Sequence, residues 1–174
     1  VSPSIQTVSG KIFDFENPTP DMVCIEDIAH SLAYLCRFTG HSSEFYSVAH
    51  HSVLVSEILP PNLQLVGLLH DAAETYVGDV SRPLKAMLPE YEVIEARVWR
   101  VIALKFGLPE DLPWQVKQAD NVLLVTEKRD LMVETDRTRE SWAGFAAVKP
   151  LPKKLERWTS WMAKKIFLER FHSF

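Results

Sequence analysis

Five of the six histidines, His30, His41, His50, His51 and His70, fall within a stretch of 41 residues. His70 is followed directly by Asp71, and Glu74 comes four positions after His70, so on a helix the imidazole and the later carboxylate share one face. The setting is GLLHDAAETY, Gly67 to Tyr76, where ionisable residues follow an apolar run that should face a core. Burying an imidazole and carboxylates there is costly unless a cation compensates them. Taken alone, His70-Asp71 also reads as an ion pair on the surface of an amphipathic helix. Two further segments repeat the pattern, however: YSVAHHSVLV (46–55) sets His50 and His51 among apolar residues, and KQADNVLLV (117–125) does the same with Asp120. Imidazoles and carboxylates make a mixed nitrogen and oxygen set. It suits one divalent transition metal, Mn, Fe, Co, Ni or Zn, with positions open to water, better than a Cys-rich structural zinc or an all-oxygen calcium site. Such an ion lowers the pKa of its water toward ~7 and neutralises a phosphoryl oxygen, which is the chemistry of phosphoester hydrolysis.

Helices must carry these residues, because almost every periodic stretch has the helical period. Ile25, Ile28, Ala29, Leu32, Leu35 and Cys36 share one face of a first helix that ends near Arg37 and Gly40. A second is predicted from Ser47 to Leu59, stopped by Pro60-Pro61, and a third from Asn62 to Thr75, stopped at Gly78. A short turn at Pro83 to Leu88 precedes helices over Tyr91 to Phe106 and Trp114 to Val133. Glu134 to Ser141 reads as a loop, and a last amphipathic helix as Lys153 to Phe171. A short hairpin over Thr7 to Phe13, turning at Gly10, is the one strand signal. The expected fold class is all-α, a helical bundle with a short N-terminal hairpin.

At 174 residues the chain is sized for a single domain, residues 1–174, that needs neither disulfide nor structural metal to fold. The balance of 19 Lys+Arg against 23 Asp+Glu, with no basic run, argues against a nucleic-acid platform. No apolar stretch is long enough for a membrane span, and VSPSIQTVSGK lacks the regions of a signal peptide, so the expectation is a soluble cytoplasmic protein. Cys24 and Cys36 are expected to be buried thiols in a reducing compartment. Leu155, Trp158, Trp161, Met162 and Phe167 give the tail more apolar bulk than one short helix needs, so part of that face is a candidate homo-oligomer contact, with intramolecular packing the competing reading.

The order H…HD…D, carried by His51, His70-Asp71 and Asp120, resembles the HD-domain metal-dependent phosphohydrolases, an all-helical superfamily. More narrowly, RFTGH (37–41), YSVAHHSVL (46–54), LLHDAAETYVGDVSRPLK (68–85) and ADNVLLVTEKRDL (119–131) resemble its small nucleotide-phosphohydrolase branch, which includes bacterial 5′-deoxynucleotidases and phage dATP triphosphohydrolases. The likeness spans roughly residues 7–132, and the C-terminal quarter carries nothing that aligns.

The resemblance implies His51, His70, Asp71 and Asp120 as metal ligands, and Glu74 as the acid/base residue beside the attacking water. His50 stands where the branch carries Glu or Gln. Arg37 and Lys85 would hold phosphate, Phe38 would face the sugar, and Asp79 would meet a sugar hydroxyl. Gly40 and Pro83 complete the implied substrate contacts; Gly40 occupies a place where an adenine-selective phage enzyme carries a bulky aliphatic residue. The implied substrate is a small-molecule 5′-deoxynucleotide cut at the phosphorus nearest the sugar. A 2′-hydroxyl against the apolar wall would lose its water contacts at a cost of ~1–3 kcal/mol. The spacing from His70 to Glu74, Pro83 and Lys85 resembles that of the phage enzymes, which leans the implied substrate slightly to a triphosphate, with a monophosphate left open. Competing classes are a cyclic-nucleotide phosphodiesterase, a single-strand nuclease, and a non-catalytic metal- or nucleotide-binding module. Small size and acidic balance weigh against the nuclease, and the intact ionisable set weighs against the module.

Overall fold

The alternating Ile5 and Phe13 segments pair as an antiparallel hairpin, β1 (Ser4–Gln6) with β2 (Ile12–Asp14), in the register Ile5 opposite Phe13. The computed structural model describes residues 3–174. Thr7 N donates to the Lys11 carbonyl at 2.9 Å, and Gly10 closes the turn at φ 86°, a conformation that favours glycine. The strands therefore flank Thr7–Lys11: Gly10 sits in the turn as expected, but the first strand precedes the expected Thr7–Phe13 span. Ser9 donates through N and Oγ, each at 2.8 Å, to the carboxylate of Asp27, pinning the turn to the first helix.

The helices are α1 (Ile25–Tyr34), α2 (Val48–Ile58), α3 (Gln64–Leu69), α4 (Glu74–Val77), α5 (Arg82–Lys85), α6 (Pro89–Phe106), α7 (Trp114–Leu131), α8 (Asp136–Ser141) and α9 (Ser160–His172). Local chemistry explains most of the ends. Ser47 caps α2 by accepting from His50 N, Gly107 stops α6 in the left-handed region at φ 67°, and Thr159 caps α9 by accepting from Met162 N. The fold is mostly helical, with the two-stranded hairpin as the sheet among the described residues.

Ile28 and Leu32 of α1, Leu68 and Leu69 of α3, Ile102 of α6 and Phe167 of α9 meet in the main core. A second cluster joins Val55 and Leu59 to Val66, Val116 and Leu123, locking α2 and α3 onto α7. Gly67 lets α3 approach α2 closely: a Cβ there would stand 2.3 Å from Leu59 Cδ1 and 3.4 Å from Ser56 Cα. Contacts of α2 with α1, α3, α7 and α9 put His51 at the middle of the bundle. None of the described helices is long and apolar enough to cross a membrane.

Several boundaries differ from the sequence expectation. The first helix stops at Tyr34, and Arg37–Gly40 forms a separate 3-10 turn in which Phe38 and Thr39 have φ near 55°. A backbone bridge from Cys36 to Ser47 competes there with helix continuation. The expected helix over 62–75 is interrupted at His70–Ala73 and resumes at Glu74. Glu134–Ser141 is not all loop, since Thr135 and Thr138 form a reciprocal capping box that starts α8. The last helix begins at Ser160 instead of Lys153; Leu155 and Trp158 pack as non-helical chain. The two cysteines are free thiols but not buried: Cys24 is half-buried and Cys36 exposed, because both lie outside α1. In the tail, Phe167 is core and Trp158 stacks on His50, while Trp161 stays exposed.

Candidate metal centre and active site

His51 comes from the second turn of α2 and is completely buried. Its Nδ1 lies 2.6 Å from Glu127 Oε1 on α7. His70, at the end of α3, has Nδ1 2.7 Å from the Gly67 carbonyl, which only accepts, so Nδ1 carries the proton. In both rings the outer hydrogen bond turns Nε2 toward the same spot, and both Nε2 atoms are buried without a hydrogen-bond partner among the described residues. A second hydrogen bond that fixes ring and tautomer is the usual support of a metal-ligating histidine. Ligand atoms of His51, His70 and Asp120 all lie within 4.8 Å of one another, and Asp120 Oδ1 is 3.4 Å from His51 Nε2.

Asp71 borders this group. Its Oδ2 is 3.2 Å from His70 Nε2 and 3.6 Å from His51 Nε2, and its carboxylate is partly open to solvent. The cluster is built to receive positive charge. Burial opposes ionisation of Asp71 and Asp120, yet His70 and His51 hold the first, and His51 above all the second, well below the usual carboxylate range. Burial and Arg37 push His51 down, but the Glu127 and Asp120 carboxylates outweigh them and lift it to about 9. Two orphaned imidazole nitrogens facing two carboxylates fit a borderline divalent cation in donor type and spacing.

The cluster opens into a cavity of about 440 Å³, within the range of roughly 300–1,000 Å³ usual for small-molecule sites. Arg37, Phe38, Asp71, Glu74, Asp79, Pro83, Lys85 and Asp120 line it, so most of the residues singled out from sequence converge there. Gly40 does not line it; it holds φ 79° at the end of the Arg37 turn. Glu74 starts α4 with Oε2 buried and unpartnered among the described residues. Burial, then the Asp71 and Asp79 carboxylates, push its carboxyl well above the ordinary value. Burial also raises Asp79, against Arg37. Lys85 reaches Glu95 Oε1 at 2.6 Å.

Arg37 is buried and gives Nε and Nη2 to Glu127 Oε2 at 3.2 and 3.0 Å, with Nη1 3.7 Å from Asp71. Of the histidine pair, His51 faces the cluster. His50 turns away to stack on Trp158 at 3.8 Å and 11°, where burial drops it to about 3. His30 also lies elsewhere, with Nδ1 3.2 Å from Lys164 Nζ.

Sequence reasoning missed two groups, Glu127 and the pair Trp142 and Phe145. Glu127 follows Asp120 by seven residues, two helical turns along α7, and a carboxylate in the apolar NVLLVTEK run was the available signal. Arg82 and Lys117 also reach the cavity: Arg82 Nη2 sits 2.6 Å from Asp120 Oδ2, joined by Lys117 Nζ at 3.2 Å. Trp142 and Phe145 form part of the cavity wall from a region that carried no motif.

No protein-family model matches the chain. Two curated proteins resemble it. The uncharacterized protein RCAP_rcc00048 of Rhodobacter capsulatus is 40% identical over 122 residues, covering 64% of this chain and 62% of the relative, so the chain spans less than two thirds of that protein. The uncharacterized protein YfdR of Escherichia coli (strain K12) is 46% identical over 127 residues. With that match extending over 73% of this chain and 71% of the relative, the protein belongs to the same family as YfdR of Escherichia coli.

Proposed function

We propose that the protein is a divalent-metal-dependent phosphohydrolase acting on 5′-deoxynucleotides. One observation carries this reading: two buried imidazole Nε2 atoms with no hydrogen bond among the described residues face the Asp71 and Asp120 carboxylates at 3.2–3.6 Å, beside a cavity whose walls hold Arg37, Arg82, Lys85 and Lys117. His51, His70, Asp71 and Asp120 would hold the ion, Mn, Fe, Co, Ni or Zn. When bound, such an ion lowers the pKa of adjacent water toward ~7 and neutralises charge on a phosphoryl oxygen.

The chain's own residues supply the rest. Glu74, beside the cluster and outside its ligand set, orients the attacking water and takes its proton, help worth ~10²–10⁴ in rate. Arg37 is held rigid by Glu127 and presents its guanidinium edge to phosphate oxygens, while Lys85 is a point charge on the facing wall. Phe38 and Asp79 both line the cavity, which suits a sugar with its apolar face on the ring and its 3′-hydroxyl on the carboxylate. Arg37, Arg82, Lys85 and Lys117 are each paired with a carboxylate that phosphate oxygens would replace or join, and four such cations suit a deoxynucleoside triphosphate over a monophosphate.

The test incubates metal-reconstituted protein with ribo- and deoxynucleoside mono- and triphosphates and identifies the phosphate product. Release of tripolyphosphate from deoxynucleoside triphosphates is expected. Orthophosphate from monophosphates alone reverses the choice of phosphate length, equal rates on ribonucleotides defeat the sugar argument, and no turnover of any nucleotide defeats the enzyme reading.

A further inference from the structure

The cavity has a wall that metal and phosphate chemistry leave unused. Trp142 and Phe145, at the end of α8 and in the 3-10 turn Ala143–Phe145, both line it, with ring centroids 5.8 Å apart and planes tilted by 51°. Both residues are half-buried. Leu124 of α7 continues the apolar surface between them and Asp120.

Arg82 connects this wall to the cluster. Its Nη2 rests on Asp120 Oδ2 at 2.6 Å, and its guanidinium carbon lies 5.9 Å from the centre of the Phe145 ring. The aromatic surface is therefore about one guanidinium away from a candidate metal ligand. Lys128 Nζ stands 5.6 Å from the centre of the Trp142 ring. The segment is anchored: Thr138 N donates to Thr135 Oγ1 at 3.2 Å, Thr135 N donates to Thr138 Oγ1 at 2.7 Å, and Trp142 N donates to the Thr138 carbonyl at 3.2 Å.

From this arrangement we propose that Trp142 and Phe145 are the base-binding subsite, taking the flat face of a purine or pyrimidine while the phosphate lies at the His51–His70–Asp120 cluster. The assignment rests on the deoxynucleotide reading above and extends it to a part of the molecule outside the motif-bearing segments. Its chemical basis is general. A planar heterocycle gains stacking and dispersion on an indole or phenyl face, and every base has such a face, so the wall selects for a base without dictating which one. Arg82, which lines the cavity and lies near the Phe145 ring, adds a cationic edge that favours an electron-rich ring system.

The test uses deoxynucleosides and inorganic phosphate, fragments of the proposed substrate that do not turn over. Deoxyadenosine, thymidine and inorganic phosphate are titrated separately by calorimetry into the metal-loaded full chain, as wild type and as Trp142→Ala, Phe145→Ala and Trp142→Phe. The expected result is a loss of deoxynucleoside affinity of about five- to a hundredfold in the alanine variants, with phosphate binding unchanged and Trp142→Phe retaining most of the affinity. The phenylalanine variant keeps a ring, so the comparison survives if an alanine variant folds poorly. Deoxynucleoside binding unaffected by all three substitutions overturns the subsite. So does wild type that binds phosphate and neither deoxynucleoside, an outcome that leaves the phosphohydrolase reading standing. Wild type that binds neither phosphate nor deoxynucleoside removes both.

Discussion

Glu127 Oε1 lies 2.6 Å from His51 Nδ1, and its other oxygen, Oε2, accepts from Arg37, so one fully buried carboxylate fixes both a candidate metal ligand and a candidate phosphate ligand. Burial disfavours its charge, but Arg37 and His51 hold its carboxyl below the ordinary value. Glu127→Gln keeps the shape and removes the charge. Metal affinity is expected to fall about 10–100-fold, the usual effect of losing the carboxylate behind a ligating imidazole, as read by metal-competition titration. Glu127→Ala leaves the buried Arg37 guanidinium without its hydrogen-bonded carboxylate, with Asp71 3.7 Å away as its remaining partner, and a stability loss of about 3–5 kcal/mol in urea denaturation is expected.

Asp71 tests the extent of the ligand set. Its Oδ2 is near both Nε2 atoms, but its carboxylate is more open to solvent than that of Asp120. Asp71→Asn is expected to weaken metal binding at unchanged fold, measured by elemental analysis alongside far-UV dichroism. Unaltered stoichiometry and affinity would remove Asp71 from the site.

Chemistry and metal holding separate at Glu74. The side chain lines the cavity and does not belong to the His51–His70–Asp120 group. Glu74→Ala should retain the ion and lose ~10²–10⁴ in kcat. Turnover near the wild-type rate would end its acid/base assignment.

Asp27 gives a pH prediction remote from the site. Burial pushes its carboxyl up, but hydrogen bonds from Thr7, Cys24 and Ser9 together hold it below the ordinary value. A carboxylate lowered in the folded state contributes stability that is present above its unfolded pKa of ~3.9 and is lost as pH falls through the folded value. Asp27→Asn should therefore cost about 1–3 kcal/mol at neutral pH, and the gap from wild type should narrow below roughly pH 4. Denaturation curves from pH 7 to pH 3 measure it; a gap independent of pH would mean that the charge plays no part.

Much of the site was legible along the chain because ionisable residues inside apolar helical runs are costly and therefore conspicuous. His51, His70, Asp71, Glu74 and Asp120 stood out on that ground; the bundle gathers His51, His70 and Asp120 into one cluster, and Asp71, Glu74 and Asp120 line the cavity beside it. The helices over α2, α6 and α7 were likewise readable from Ser47, the Pro60-Pro61 stop, Gly107 and helical periodicity. Local competition hid other boundaries. The break at His70–Ala73 and the left-handed Phe38 and Thr39 arise where burial of a polar side chain and the Cys36–Ser47 bridge override helix propensity.

Sequence alone determined which residue types were out of place in a core, and hence the chemistry they suit, because burial cost is a property of each side chain and its immediate neighbours. Only the tertiary structure decided which of His50 and His51 faces the cluster, since adjacent helical residues point about 100° apart and the packing of Trp158 claims one of them. It alone joined Glu127 to His51 across 76 residues, Arg82 to Asp120 across 38, and the Trp142–Phe145 wall to the same cavity. Those relationships depend on how helices distant in sequence cross, and no periodicity within a single helix encodes the partner it will meet.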